Sequence, residues 1–173
     1  MKAAIICGTA DQKGATMAMC LAAKKALESK GYEAALIRPS EMDIAHCRDC
    51  AGCKDGRCVI EDDMAQVFEA FSESDLFVFA TPIHFSGPSS LTKTVMDRFQ
   101  PYWYDRKKRH PSACVAMMCG GNKEPNFEYT ERIIKAFCLM IGMEFKGSLK
   151  IADTDSRIVG VEGSVERFLD QSI

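Results

Sequence analysis

Lys2-Ala-Ala-Ile-Ile-Cys7-Gly8-Thr9-Ala-Asp-Gln-Lys13-Gly14-Ala15-Thr16 is the stretch whose reading decides the fold. An apolar run without polar alternation suits a strand covered on both faces, and it stops at Gly8. A short polar loop follows. Beyond it Thr16, Cys20, Ala23 and Leu27 recur at helical spacing until Lys30-Gly31, a C-terminal glycine signal. Buried strand, loop and amphipathic helix in that order make the first half of a βαβ unit.

Working outward, the same kind of run recurs in Asp75 to Ala80 and Ala113 to Cys119, and more weakly in Tyr32 to Ile37 and Phe145 to Ile151. Helical patterns lie between them. Met64, Val67, Phe68 and Phe71 form one, with Asp63 and Gln66 placed to make a capping box. Leu91, Val95, Met96 and Phe99 form another after Pro88. Ile134, Phe137, Cys138 and Ile141 form a third that ends at Gly142, and Val161, Val165, Phe168 and Leu169 a short last one. Strict alternation of strand and helix predicts right-handed crossovers, hence an α/β, doubly wound five-stranded parallel sheet with helices on both faces. We find no internal repeat or linker, so one domain over residues 1–173 is expected, with a cysteine-rich loop at about 39–61.

In such sheets the ligand crevice lies beyond the carboxyl ends of the strands. Three loops leave that edge: Gly8 to Thr16, Thr81-Pro-Ile-His-Phe-Ser86 with Gly87-Pro88-Ser89, and Cys119-Gly-Gly-Asn122. The first has backbone N–H groups and hydroxyls at a helix N-terminus, a place for a phosphate. It matches neither G-x-x-x-x-G-K-[ST] nor G-x-G-x-x-G, which argues against a triphosphate loop and a dinucleotide fingerprint. Plain turn chemistry explains any single loop, but less readily all three at one edge.

The longest irregular stretch, Arg38 to Glu61, contains Cys47-Arg-Asp-Cys50-Ala-Gly-Cys53-Lys-Asp-Gly-Arg-Cys58. A loop of this length in a compact domain is functional or internally tied. The C-x2-C-x2-C-x4-C spacing suits one [4Fe-4S] cluster on all four thiolates, while zinc, an empty site or inert thiols stay open as alternatives. The other five of nine cysteines (Cys7, Cys20, Cys114, Cys119 and Cys138) fall in apolar elements and are expected as small buried hydrophobes. The odd count argues against a disulfide framework.

A net charge of -2 gives no reason to expect nucleic acid or an anionic membrane. No segment approaches the ~18 apolar residues of a membrane span, and the N-terminal run is too short for a signal peptide, so a cytoplasmic location is expected. Arg106-Lys-Lys-Arg-His110 reads as solvated surface, or as a dock for a nicotinamide cofactor's phosphate or an acidic electron carrier. Tyr102-Trp-Tyr104 reads as packing or subunit interface, and His46 as a solvent-facing loop residue. No hydrolytic triad or paired-carboxylate set is evident, and no catalytic side chain is assigned.

The combination of Gly8-Thr9, Gly14-Ala15-Thr16, the cysteine run leading into Asp62-Asp63-Met64, Thr81-Pro82-Ile83-His84, Lys93 and Asp97-Arg98 resembles the flavodoxin-like NAD(P)H-dependent FMN reductase superfamily. With its full cysteine set it is similar to the iron-sulfur flavoprotein branch. The resemblance runs over residues 1 to about 150 and implies strand order 2-1-3-4-5. It implies FMN at the sheet edge, its phosphate on Thr9, Lys13, Gly14, Ala15 and Thr16. Thr81, Pro82, Ile83, His84, Phe85 and Ser86, with Cys119, Gly120, Gly121 and Asn122, would hold the ribityl chain and ring. It further implies an FMN-dependent electron-transfer oxidoreductase, an NAD(P)H or ferredoxin-type donor, and a homodimer or homotetramer. The runner-up expectations are a cluster-free FMN or quinone reductase and, from another class, a non-catalytic redox- or metal-responsive module.

The sequence departs from the family pattern at three points. Asp11 stands where an arginine is common, Ala15 where asparagine is, and His84 where tyrosine often is. A carboxylate in a dianion site is unfavourable, so Lys13 and backbone amides would have to carry the phosphate.

Overall fold

The computed structural model describes residues 1–156 and 158–173. Its strands are β1 (Lys2–Cys7), β2 (Glu33–Ile37), β3 (Leu76–His84), β4 (Gly87–Pro88), β5 (Ala113–Cys119) and β6 (Glu144–Ile151). Its helices are α1 (Ala15–Ser29), α2 (Met64–Glu73), α3 (Ser90–Asp97), α4 (Gln100–Tyr104), α5 (Glu128–Ile141) and α6 (Val161–Ser172). A 3-10 turn at Pro39–Glu41 precedes the cysteine loop.

The sheet has six strands in the order β2-β1-β3-β5-β6, with β4 paired to β3, which corrects the expected five-strand sheet. The added strand is the two-residue β4, antiparallel to the end of β3 through Ile83 with Pro88 and His84 with Gly87. Thr81 to His84, expected as loop, extend β3, where Thr81 and Pro82 still pair with Met118 and Cys119 of β5. The turn between β3 and β4 places Phe85 and Ser86 at φ of 50° and 65°. Two-residue hairpins of this kind favour Asn-Gly, and its absence concealed the turn from sequence.

Successive strand residues serve opposite faces. Ile5, Val78, Val115 and Met117 pack with α1 and α6 on one side. Ile6, Phe77, Phe79 and Ala116 pack with α2, α3, α4 and α5 on the other. Both faces are therefore apolar, which is why the central strands β1, β3 and β5 do not alternate, whereas the edge strand β6 does. Phe71 is the hub of the second face, 4.8 Å from Phe77, 4.7 Å from Phe99 and 5.0 Å from Tyr102 between ring centroids, in edge-on arrangements. Gly142, at φ 102°, ends α5 where the sequence predicts.

The capping-box expectation is corrected, and the third helix stops at Asp97, short of Phe99. The aromatic trio belongs to a short helix, α4, buried through Pro101 and Tyr102 while Trp103 and Tyr104 stay exposed. At the start of α2 the Met64 N–H donates to Asp62 at 3.0 Å, not to Asp63. Asp63 instead accepts the Gln66 side chain at 2.8 Å and the Asp43 N–H at 2.8 Å. The pair of aspartates thus divides helix capping from loop anchoring.

Candidate cofactor cleft and cysteine loop

The carboxyl ends of β1, β3 and β5 open onto a cleft of about 400 Å³, within the ~300–1,000 Å³ span of small-molecule sites. Its walls include Thr9, Gly14, Ala15, Thr16, Pro82, Ile83, His84, Cys119 and Gly121. The loop behind it is held by a buried hydroxyl network. Ser89 Oγ donates to the Gly8 carbonyl at 2.6 Å, and Thr81 Oγ1 accepts the Ser89 N–H at 3.0 Å. A Cβ at Gly8 would stand 2.2 Å from Thr92 Oγ1, so the backbone passes where no side chain fits.

Several expected residues stand elsewhere. Thr81 is fully buried in that network, and Phe85 points wholly into solvent at the hairpin tip. The Ser86 carbonyl accepts from Thr130 Oγ1 at 3.0 Å. Lys13, Gly120 and Asn122 also lie outside the cleft lining, Lys13 and Asn122 with exposed side chains.

Sequence reading missed Thr154, Asp155 and Ile158, which complete the wall. They arrive because the Asp153, Thr154 and Asp155 N–H groups donate to the carbonyls of Asn122, Gly120 and Gly121 at 2.7, 3.2 and 3.1 Å. The signal was available: Asp153-Thr-Asp155 follows β6 at the same sheet edge.

Cys119 is nearly buried, with its sulfur 3.0 Å from Thr16 Oγ1. Burial pushes its thiol pKa up against that hydrogen bond, so it is a neutral wall group. Helix α1 begins at the cleft with no side-chain cap. Its first N–H groups are therefore free for an anion. Asp11 lies over this point: its carboxylate accepts the Lys13 N–H at 2.9 Å, and a Cβ at Gly14 would meet Asp11 Oδ2 at 2.5 Å. The cleft fits a flat ring and its polyol chain, whereas a phosphate fits the helix terminus once the Asp11 carboxylate has left the Lys13 amide.

The cysteine loop is tied at its two ends by one side chain. Arg98, 1% exposed, donates from Nη1 to the Ala45 carbonyl at 2.7 Å and from Nη2 to the Ile60 carbonyl at 3.3 Å. The same fork meets the Asp62 carboxylate at 2.5 and 3.0 Å. Asp62 also accepts the Ala45 N–H at 2.9 Å. Burial acts to raise the Asp62 pKa, but the Arg98 hydrogen bond and the backbone N–H groups of Ala45 and Met64 outweigh it and hold it below its ordinary value. For Arg98, burial works against the charge, and Asp62 and the nearby Cys58 thiol more than restore it.

Cys47, Cys50, Cys53 and Cys58 line one small cavity of about 30 Å³. Asp49 and Ala51, on either side of Cys50, have φ of 50° and 54°, a left-handed backbone that non-glycine residues seldom adopt. The Cys53 thiol pKa is raised by burial and by its three cysteine neighbours. Soft thiolates at this spacing are the donor set of an iron-sulfur cluster. The buried Arg98 Nε has no hydrogen-bond partner, and Arg98 lines the same cavity as the four thiols. Among the described residues no three ligating side chains converge as a metal shell, so the expected four-thiol arrangement is looser than a coordination site. The donor chemistry fits a cluster, and the loop must widen and turn its thiols inward to hold one.

The family model for NADPH-dependent FMN reductases matches residues 1–152. The chain belongs to that family. An iron-sulfur flavoprotein of Archaeoglobus fulgidus is 31% identical over 140 residues, covering 79% of this chain and 64% of that protein. Another, from Methanocaldococcus jannaschii, is 30% identical over 144 residues, covering 83% and 74%. The match thus spans somewhat less than two thirds of the Archaeoglobus relative. An FMN-dependent NADH-azoreductase of Bacillus anthracis superposes with a TM-score of 0.68 at 13% identity, covering 96% of this chain and 97% of that one, a likeness of fold. Members of the FMN reductase family are flavin-dependent oxidoreductases. No helix among the described residues is long and apolar enough to cross a membrane.

Proposed function

We propose that the chain is an FMN-dependent electron-transfer oxidoreductase of the iron-sulfur flavoprotein kind, a single FMN-binding domain over residues 1–173. FMN occupies the sheet-edge cleft, and Cys47, Cys50, Cys53 and Cys58 hold a [4Fe-4S] cluster. The observation that carries this reading is the gathering of four thiols around one cavity beside Arg98, in a family whose fold offers a flavin-sized cleft. The names of the two archaeal relatives support it.

When bound, FMN supplies two-electron uptake with single-electron release, and a cluster supplies one-electron relay. The chain's own residues bind and orient. The uncapped N–H groups of α1 take the phosphate, with Lys13 beside them, while Asp11 opposes it. Pro82, Ile83 and the neutral Cys119 exclude water from the inner wall. His84, on the rim, is the imidazole within the cleft lining. Arg98 closes the cysteine loop and leaves one unpartnered N–H, Nε, in the cavity that the four thiols line. The donor is NAD(P)H or a ferredoxin-type carrier, and a homodimer or homotetramer in the cytoplasm brings the cysteine loop of one subunit near a flavin of another.

Anaerobic purification followed by a visible spectrum and assays for iron, sulfide, zinc and FMN tests the reading. Flavin with about four irons and four sulfides per chain is expected. A protein with neither flavin nor iron after reconstitution would sink it. The looseness of the thiols favours a second reading, a cluster-free FMN or quinone reductase. Flavin without iron, unchanged when the four cysteines are replaced by serine, selects that one.

A further inference from the structure

A second, larger cavity of about 460 Å³ lies between α2, α4 and the cysteine loop, and it shares no lining residue with the sheet-edge cleft. Phe68 of α2 and Tyr102 of α4 form an aromatic wall, their ring centroids 6.0 Å apart. Arg57, Lys108 and Arg109 stand around it. Lys108 Nζ is 5.6 Å from the Tyr102 ring centroid, a cation held over an aromatic face. None of the three cations has a carboxylate within 4.0 Å among the described residues, and one acid, Glu69, lines the same space. Apolar aromatic surface beneath unpaired positive charge calls for a ligand with a flat hydrophobic body and an anionic group.

We propose that this cavity is a separate binding site for a small aromatic anion, an aryl carboxylate or sulfonate, seated against the cysteine loop. The aromatic body packs on the half-buried Phe68, which the nearly buried Tyr102 backs. The acid group meets Lys108 and Arg109, with the long Arg57 side chain closing from the loop. Cys58 lines both this cavity and the cysteine pocket, so the ligand lies against the loop that carries the four thiols. A nicotinamide dinucleotide or an acidic protein surface would use the same charges, and displacement of the probe by NADPH is among the outcomes that overturn the proposal.

Calorimetric titration of the purified full-length protein with naphthalene-2-sulfonate, and separately with neutral 2-naphthalenemethanol, tests the site. One-to-one binding of the sulfonate is expected, at least tenfold tighter than the neutral compound. The double substitution Lys108→Gln/Arg109→Gln removes two exposed or half-exposed charges without disturbing the aromatic core, and the expected loss is tenfold or more with an unchanged circular dichroism spectrum. Sulfonate affinity is expected to be the same before and after saturation with FMN. The proposal is overturned if the double variant binds the sulfonate as tightly as the parent, if the neutral compound binds equally well, or if FMN or NADPH displaces the probe. The readout needs neither flavin nor metal, so its failure is distinct from failure of the redox assignment.

Discussion

Arg98 and Asp62 form a two-pronged buried ion pair, 2.5 and 3.0 Å, between the end of α3 and the residue that starts α2. Both side chains are nearly solvent-free, at 1% and 5% exposed. Removing one partner of such a pair strands the other charge and typically costs about 3–5 kcal/mol. Arg98→Ala is expected to destabilise the protein by about that amount in urea unfolding. It should also lower metal retention, because both ends of the cysteine loop lose their anchor. Arg98→Lys keeps a charge but no planar fork and should fall between. A variant with full stability and full metal content would show the pair to be incidental.

The depressed Asp62 pKa also sets an acid limit. A carboxylate whose folded pKa lies below its unfolded value, about 3.9, contributes its stability above that value and loses it as pH falls through the folded pKa. The difference in stability between the parent and Asp62→Asn should therefore be full near neutrality and shrink below about pH 4. Urea midpoints for both proteins between neutral and strongly acidic pH measure it. A difference that stays constant across that interval contradicts the assignment.

Asp11 predicts a gain of function. Its carboxylate sits at an uncapped helix start, where a charge is worth up to ~2 kcal/mol. Asp11→Asn should tighten FMN by about 5–30-fold. Riboflavin, which lacks the phosphate, should be nearly unaffected. Flavin fluorescence titrations with both ligands separate a phosphate effect from a general change in the cleft.

The aromatic hub gives a stability prediction independent of any cofactor. Phe71→Ala removes a fully buried ring from between Phe77, Phe99 and Tyr102. A loss of about 3–5 kcal/mol is expected in denaturant unfolding. Gly8→Ala should also destabilise, by about 1–3 kcal/mol, because its methyl group meets the Thr92 hydroxyl. Gly8→Ala/Thr92→Ser leaves that hydroxyl and should recover little; Gly8→Ala/Thr92→Val removes it but keeps the bulk.

The parallel sheet was legible because β1, β3 and β5 are apolar on both faces, and the helices because their buried positions repeat at helical spacing. The hairpin Phe85-Ser86 was not, since its positive φ values are imposed by pairing of β3 with β4 rather than by glycine. Nor was α4, at five residues too short to show a period. In the cleft, chain order identified the loops after β1, β3 and β5, but which side chains face inward depends on contacts among loops. Thr81 turned to the network behind the cleft, and Asp155 entered through hydrogen bonds to Gly121. Arg98 entered the reading only as part of the resemblance. Its role in the loop depends on carbonyl groups far away in sequence, and no local pattern encodes those.

The two feet of the cysteine loop stand on the same guanidinium. Ala45 and Ile60 are fifteen positions apart in the chain, yet each gives its carbonyl to Arg98. Asp62 takes the Ala45 N–H, and Asp43 and Asp63 bond each other, so the segment between leaves and re-enters the domain side by side at one clamp. A change in the length of residues 46–59 is thus met first at this clamp, where Arg98 holds both ends of the loop to the start of α2.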